Sequence, residues 1–140
     1  MEAVVRTADT AMRFVRAGPT YGYAVYVDGN HNGVGTRDIQ RGVDREIQGA
    51  ERLSDQFPGV DFGALTNLPP VDPTAPAPGN DPVRFGSSDM VTFTALGTSS
   101  PGSVYIRGRR DAQYVVRVFG GTGKIRILKF NPRSRQWKPL

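Results

Sequence analysis

Cysteine is absent from the 140 residues, which excludes disulfides, thiolate metal sites and thiol nucleophiles together. No run of about 18 apolar residues occurs, the length a helix needs to cross a bilayer. Glu2 and Arg6 interrupt any apolar core at the start, so no secretory signal is read there. Histidine occurs once, as His31, among turn formers, and the serines are scattered through polar turns with no nucleophile-elbow pattern. Neither a Ser-His-Asp nor a Cys-His arrangement can be drawn from such a set. Asp28 and Asp38 are a conceivable carboxylate pair, but nothing around them suggests an apolar pocket to raise one pKa. Gly120-Gly121-Thr122-Gly123-Lys124 lacks the spacing of a phosphate loop and joins two strand patterns, so it is expected to be a hairpin turn. The chain is expected not to be an enzyme.

What is present is turn formers and β-branched runs. Gly 17 and Pro 11 suit a turn-rich β fold, and 38% hydrophobic content over this length suits one domain with its own core, taken as 1–140. From Met90 onward four apolar runs follow one another: Met90–Phe93, Val104–Ile106, Tyr114–Phe119 and Ile125–Phe130. Ser99-Ser100-Pro101-Gly102, Gly108-Arg109-Arg110-Asp111 and the Gly120–Gly123 segment separate them. Runs of this kind between turn clusters predict an antiparallel β meander over 90–130. Tyr114, Val116 and Val118 alternate with Val115, Arg117 and Phe119, the pattern of a half-buried strand.

Upstream, residues 2–17 read as an amphipathic helix. Val4, Ala8, Ala11, Met12 and Val15 share a stripe at helical spacing, and Gly18-Pro19 supplies a stop. The expected fold class is therefore α+β, with this N-terminal α-helix packed on antiparallel β-sheets. Tyr21–Val27 reads as a strand, Ile39–Ala50 as polar and helix-permissive, and Gly59–Phe62 as a short strand. Residues 65–83 are rich in proline and predict a long surface loop in extended conformation.

The loop after Val27 carries the most suggestive chemistry. Asp28, Asn30 and Asn32, followed by Gly33, reproduce the first half of a calcium loop, in which alternate side-chain oxygens converge on one cation. Asp38 stands one place before the position where such a loop has its bidentate Glu, and Ile39 occupies that position. Asp28, Asn30, Asn32 and Asp38 are thus candidate Ca2+ ligands. The competing reading is an Asx turn followed by an Asn32-Gly33 hairpin turn, which needs no metal.

Charge divides the chain. From Arg107 onward ten Lys/Arg face one acid, a balance of +9, while the first 106 residues hold eight Arg and twelve acids, a balance of −4. This asymmetry predicts a basic face suited to an acidic partner, nucleic acid included.

The order of motifs in the last third resembles the C-terminal region of GspH/FimT-type minor pilins and pseudopilins. The motifs are Phe93 to Gly97-Thr98, Ser100-Pro101-Gly102-Ser103-Val104-Tyr105-Ile106, Tyr114-Val115-Val116-Arg117-Val118, Gly121-Thr122-Gly123-Lys124-Ile125-Arg126 and a late Trp137. The resemblance implies a pilin-like β-sandwich head with the transmembrane half of the helix missing from this chain. It also implies other pilin or pseudopilin subunits as partners, and an extracytoplasmic head in a type II secretion pseudopilus or a type IV pilus. Membrane contact would run only through that missing segment. In part of the FimT branch a Gly-Arg-x-Arg turn is associated with DNA capture. Here Gly123-Lys124-Ile125-Arg126 matches with Lys for the first Arg, which keeps the charge and loses the bidentate fork. Lys124 and Arg126 share a strand face by their spacing. Together with Lys129, Arg107, Arg109, Arg110, Arg133 and Arg135 they form the alternative, DNA-binding set.

Overall fold

Thr10, Met12, Phe14 and Arg16 alternate in the chain with Ala11, Arg13 and Val15, and this period of two, not the helical stripe, prevails. In the computed structural model, which describes residues 8–73, 77–86 and 88–140, Thr10–Ala17 form strand β1. It pairs along its whole length with β2 (Thr20–Val27), from Thr10 opposite Val27 to Ala17 opposite Thr20. The expected helix over 2–17 is therefore corrected for residues 10–17, and its remaining part from 2 to 7 lies outside the described residues. The stripe splits between the two faces of the strand, with Met12 inward and Ala11 and Val15 outward. Gly18-Pro19 is a hairpin loop and not a helix stop. Gly18 takes φ +68 at the first central position, where a primed two-residue turn demands a positive φ. Eight cross-strand pairs with β-branched and aromatic members outweigh the weak helical preference of an isolated stripe.

The α+β expectation is overturned with it. The chain builds two antiparallel sheets, and its described α-helices are short, α1 (Thr36–Gln40) and α2 (Leu53–Gln56). None is long and apolar enough to cross a membrane. The first sheet has the order β3-β2-β1-β6, with β3 Arg45–Arg52 and β6 Met90–Phe93. The second runs β10-β9-β8-β7-β4. Its strands are β4 (Asp61–Phe62), β7 (Gly102–Arg107), β8 (Gln113–Phe119), β9 (Lys124–Asn131) and β10 (Gln136–Pro139). β5 (Val83–Arg84) also pairs with β7, beyond β4 along the same edge.

The meander expected over 90–130 holds from β7 to β9 and continues into β10. β6, however, leaves it to pair with β1 in the other sheet. Segment 94–101 makes the crossing. Thr94 and Thr98 close a small turn with their backbones, and Ser99 N–H binds Gly120 O, just past the end of β8, at 2.8 Å.

Between the sheets lies the main core of Phe14, Tyr21, Val83, Phe85, Val91, Val104 and Val118. Phe14 stacks on Phe85 with ring centroids 5.9 Å apart and meets Phe62 edge-on at 5.6 Å, geometries that aromatic quadrupoles favour. A second core sits on the opposite face of the second sheet, where Leu68 covers Tyr105, Val115 and Phe130. The proline-rich stretch thus contributes a packed segment. Trp137 Nε1 donates to Pro69 O at 3.1 Å, and Pro78 is fully buried. Gln113, 1% exposed, ties this segment down. Its Oε1 accepts from Leu65 N at 2.9 Å, and its Nε2 faces the carbonyls of Gly63, Ile106 and Tyr114 at 3.0–3.2 Å.

Candidate functional site

The two sheets are displaced sideways relative to one another. Residues of the main core come from β1, β2, β4, β5, β6, β7, β8 and Phe85, and none comes from β9 or β10. Cross-strand partners share a sheet face, so the ladder fixes which β9 side chains point inward. Ile125 pairs with Val118, Ile127 with Val116 and Lys129 with Tyr114. On the last strand Lys138 pairs with Lys129, and Leu140 N–H binds Ile127 O at 3.1 Å. The inward side of β9–β10 is thus a strip that the first sheet does not cover. Ile125 and Ile127 remain 47% and 45% exposed and Leu140 76%. Lys129 Nζ stands 5.7 Å over the Tyr114 ring. Beside it a cavity of about 380 Å³ is lined by Lys129, Phe130, Pro132, Lys138 and Leu140 among others. The strip is apolar in the middle and cationic at one end. Alternation along β9 puts Ile125, Ile127 and Lys129 on one face once the ladder is known, but no local signal indicated that the face would stay uncovered.

The cations of the DNA-binding set do not form one patch. Lys124 and Arg126 are exposed on the outward face of β9. Arg126 lies opposite Arg117, whose Nη1 sits 2.9 Å from Asp72. Lys129 points to the inward face. Arg107 pairs with Asp111 at 2.5 Å, and Arg109 Nε donates to Pro58 O at 3.2 Å. Arg110 occupies the turn in a left-handed conformation, φ 58. Arg135 Nη2 donates to Asn67 O at 2.5 Å while its guanidinium lies 5.6 Å over the Phe130 ring. Arg133 sits in the β9–β10 turn, its N–H bound to Asn131 Oδ1 at 2.9 Å. Strand direction places Arg107, Arg109, Arg110, Lys129, Arg133 and Arg135 toward one end of the sheet and Lys124 and Arg126 toward the other. The eight residues of β9 span about 23 Å at the usual rise.

In the Asp28 loop the carboxylates accept hydrogen bonds from within the loop. Asp28 Oδ1 accepts from Asn30 N at 3.1 Å and Oδ2 from Gly33 N at 2.9 Å, an Asx turn. Asp38 Oδ2 accepts from Asn30 Nδ2 at 3.2 Å. Sequence reasoning missed Asp44, which is 1% exposed. Its two oxygens take the N–H groups of Gly29 and Gly35 at 3.0 and 2.9 Å, latching both flanks of the loop. Gly29 is required there, since a Cβ would fall 1.8 Å from Val43 O. His31 is exposed in a left-handed conformation, φ 63, and Asn32 is exposed beside it. Among the described residues no group of three or more His, Cys, Asp or Glu is arranged to hold a metal ion.

A second cavity of about 380 Å³ opens at one end of the sandwich between Arg16, Tyr21, Asp61, Phe62, Asn80 and Arg107. Tyr21 OH donates to Asp81 Oδ1 at 3.1 Å. Burial, then that bond and the charge of Asp81, push the Tyr21 phenol above its usual pKa, with Arg16 opposing. Thr20 Oγ1 and the Phe62 amide occupy Asp61 Oδ1. These groups hold one another and do not converge on the space between them.

The described residues define a two-sheet, all-β protein with an uncovered apolar strip on β9–β10 and dispersed cations. Comparison with known proteins finds no matching family model, no matching curated protein and no matching solved structure. The likeness to minor pilins and pseudopilins therefore rests on the motifs quoted above.

Proposed function

We propose that this chain is a non-enzymatic assembly subunit, the β head of a minor pseudopilin or pilin working in a type II secretion pseudopilus or a type IV pilus. The observation that carries the reading is the uncovered strip of Ile125, Ile127 and Leu140. Contiguous exposed aliphatic surface is characteristic of contact with another protein. The motif order adds support, because its last motifs fall on β9 and β10, the strands that carry the strip. On this reading the partners are other subunits of the filament, and the head stands on the extracytoplasmic side.

The test is Ile127→Asp in the native host. The side chain is already half exposed, so the variant is expected to fold as wild type yet reproduce the piliation or secretion defect of a deletion strain. Wild-type filaments and secretion from the Ile127→Asp strain would remove the proposal.

A second reading, DNA binding, is favoured by the exposure of Lys124 and Arg126 on one face of β9. Two such cations contact phosphates without reading bases. Mobility-shift affinity for duplex DNA is then expected to fall steeply with salt, and Lys124→Ala/Arg126→Ala to flatten that slope by about 2. No shift at low salt eliminates this reading.

A further inference from the structure

We propose that the free edge of β3 pairs with the same edge of a second copy of this chain, joining two four-stranded sheets into one. The inference is independent of the β9–β10 strip. Among the described residues β3 is the terminal strand of its sheet and pairs only with β2. All eight of its residues but Glu51 are exposed. A long open edge is a ready template for another strand, and what decides its partner is the order Arg45, Glu46, Ile47, Gln48, Gly49, Ala50, Glu51, Arg52.

Pairing with β2 fixes which way these side chains face. Arg45, Gln48 and Glu51 lie opposite Val27, Val25 and Tyr23 and point inward, while Glu46 and Arg52 lie opposite Tyr26 and Gly22 and point outward. The two register shifts of β3 against β2 fall between these positions and are already contained in that assignment. A two-fold axis perpendicular to a sheet keeps every side chain on its own face, and directly opposed residues share a face. Arg45 can therefore stand opposite Glu51, but never opposite Arg52, and Glu46 never opposite Glu51. The register that would set Arg45 against Arg52 and Glu46 against Glu51 is geometrically excluded. The register centred on Gln48 makes the Arg45–Glu51 pair twice and sets the two Gln48 side chains against each other, where primary amides exchange hydrogen bonds. The charges along this edge thus favour one antiparallel dimer, and because it uses the same edge of both copies it is closed.

Light scattering across a concentration series of the purified full chain tests the pairing. The wild type is expected to rise in mass toward twice the monomer as concentration increases, and less so in high salt. Arg45→Glu, an exposed site, is expected to remain monomeric with an unchanged far-UV spectrum. The double variant Arg45→Glu/Glu51→Arg is expected to regain the wild-type mass, because the pairs are restored with their signs exchanged. A wild type monomeric throughout overturns the proposal, as does an Arg45→Glu protein that dimerises normally or a double variant that stays monomeric. Ile127→Asp leaves this equilibrium unchanged, so the dimer stands or falls separately from the assembly role.

Discussion

Replacing Gln113 by leucine removes the clamp that holds the 63–73 segment over the second sheet. The shape is nearly kept, so packing changes little and the effect is that of the lost polar contacts. Leu65 N–H loses its acceptor at 2.9 Å and Gly63 O its donor at 3.0 Å, while the other two carbonyls lie on paired strands. Each buried group left without a partner costs about 1–3 kcal/mol, so the pair amounts to about 2–6 kcal/mol against a whole-domain stability of about 5–15 kcal/mol. Urea unfolding followed by circular dichroism gives this number. The single tryptophan reports the location, since Trp137 donates to Pro69 O and packs 5.2 Å from Phe130, so its emission is expected to shift to the red as the segment lifts. Gln113→Glu supplies the sign. It keeps an acceptor for Leu65 but turns a carboxylate oxygen toward three carbonyls. Its folded pKa then lies above the unfolded value of about 4.3. The variant is most stable below that value and loses about 1.4 kcal/mol per pH unit as pH rises from there to the folded pKa. A Gln113→Leu protein within about 0.5 kcal/mol of wild type, with unshifted tryptophan emission, would refute the clamp.

Asp44→Ala strands the N–H groups of Gly29 and Gly35, and a loss of about 2–4 kcal/mol is expected in thermal or urea unfolding, with Asp44→Asn retaining part of the difference. Phe14→Ala, in the main core, is expected to cost about 3–5 kcal/mol in the same assay. The phenols of Tyr21, Tyr23, Tyr26 and Tyr105 all titrate above 10.0, burial being the first cause of each. Raised folded values mean that their contribution is complete below pH 10 and is lost as pH climbs through the folded pKa values. Unfolding midpoints measured from pH 8 upward are thus expected to hold and then fall, and a rise above pH 10 contradicts the assignment. Asp28 already accepts two backbone N–H groups, so millimolar calcium is expected to leave the thermal midpoint unchanged. A concentration-dependent increase would put the ion in the loop.

The hairpins from β7 to β9 were legible because alternation and turn chemistry act between neighbours in the chain. The Ser99–Gly102 and Gly120–Gly123 breaks fall where strands end, and Tyr114–Phe119 alternates as read. β1 was misread because Ala11, Met12 and Val15 satisfy a helical spacing equally well, and only the presence of β2 across the Gly18-Pro19 turn selects the extended form. The departure of β6 to the other sheet was illegible for the same reason, as its partner β1 lies some 80 residues upstream. At the surfaces, Lys124 and Arg126 were correctly placed together on β9. The spread of the remaining cations followed from strand direction, and Asp44 and Gln113, each 1% exposed, look in sequence like ordinary polar residues.

Composition and local order dictated a cysteine-free, turn-rich chain whose C-terminal part is cationic and folds as successive hairpins. Those properties depend on residues adjacent in sequence and survive any global arrangement. The sideways offset that leaves Ile125, Ile127 and Leu140 uncovered was settled by how Phe14, Phe62, Phe85 and Val118 meet across the interior. Four segments far apart in the chain must be assembled before that face is either covered or left to another molecule.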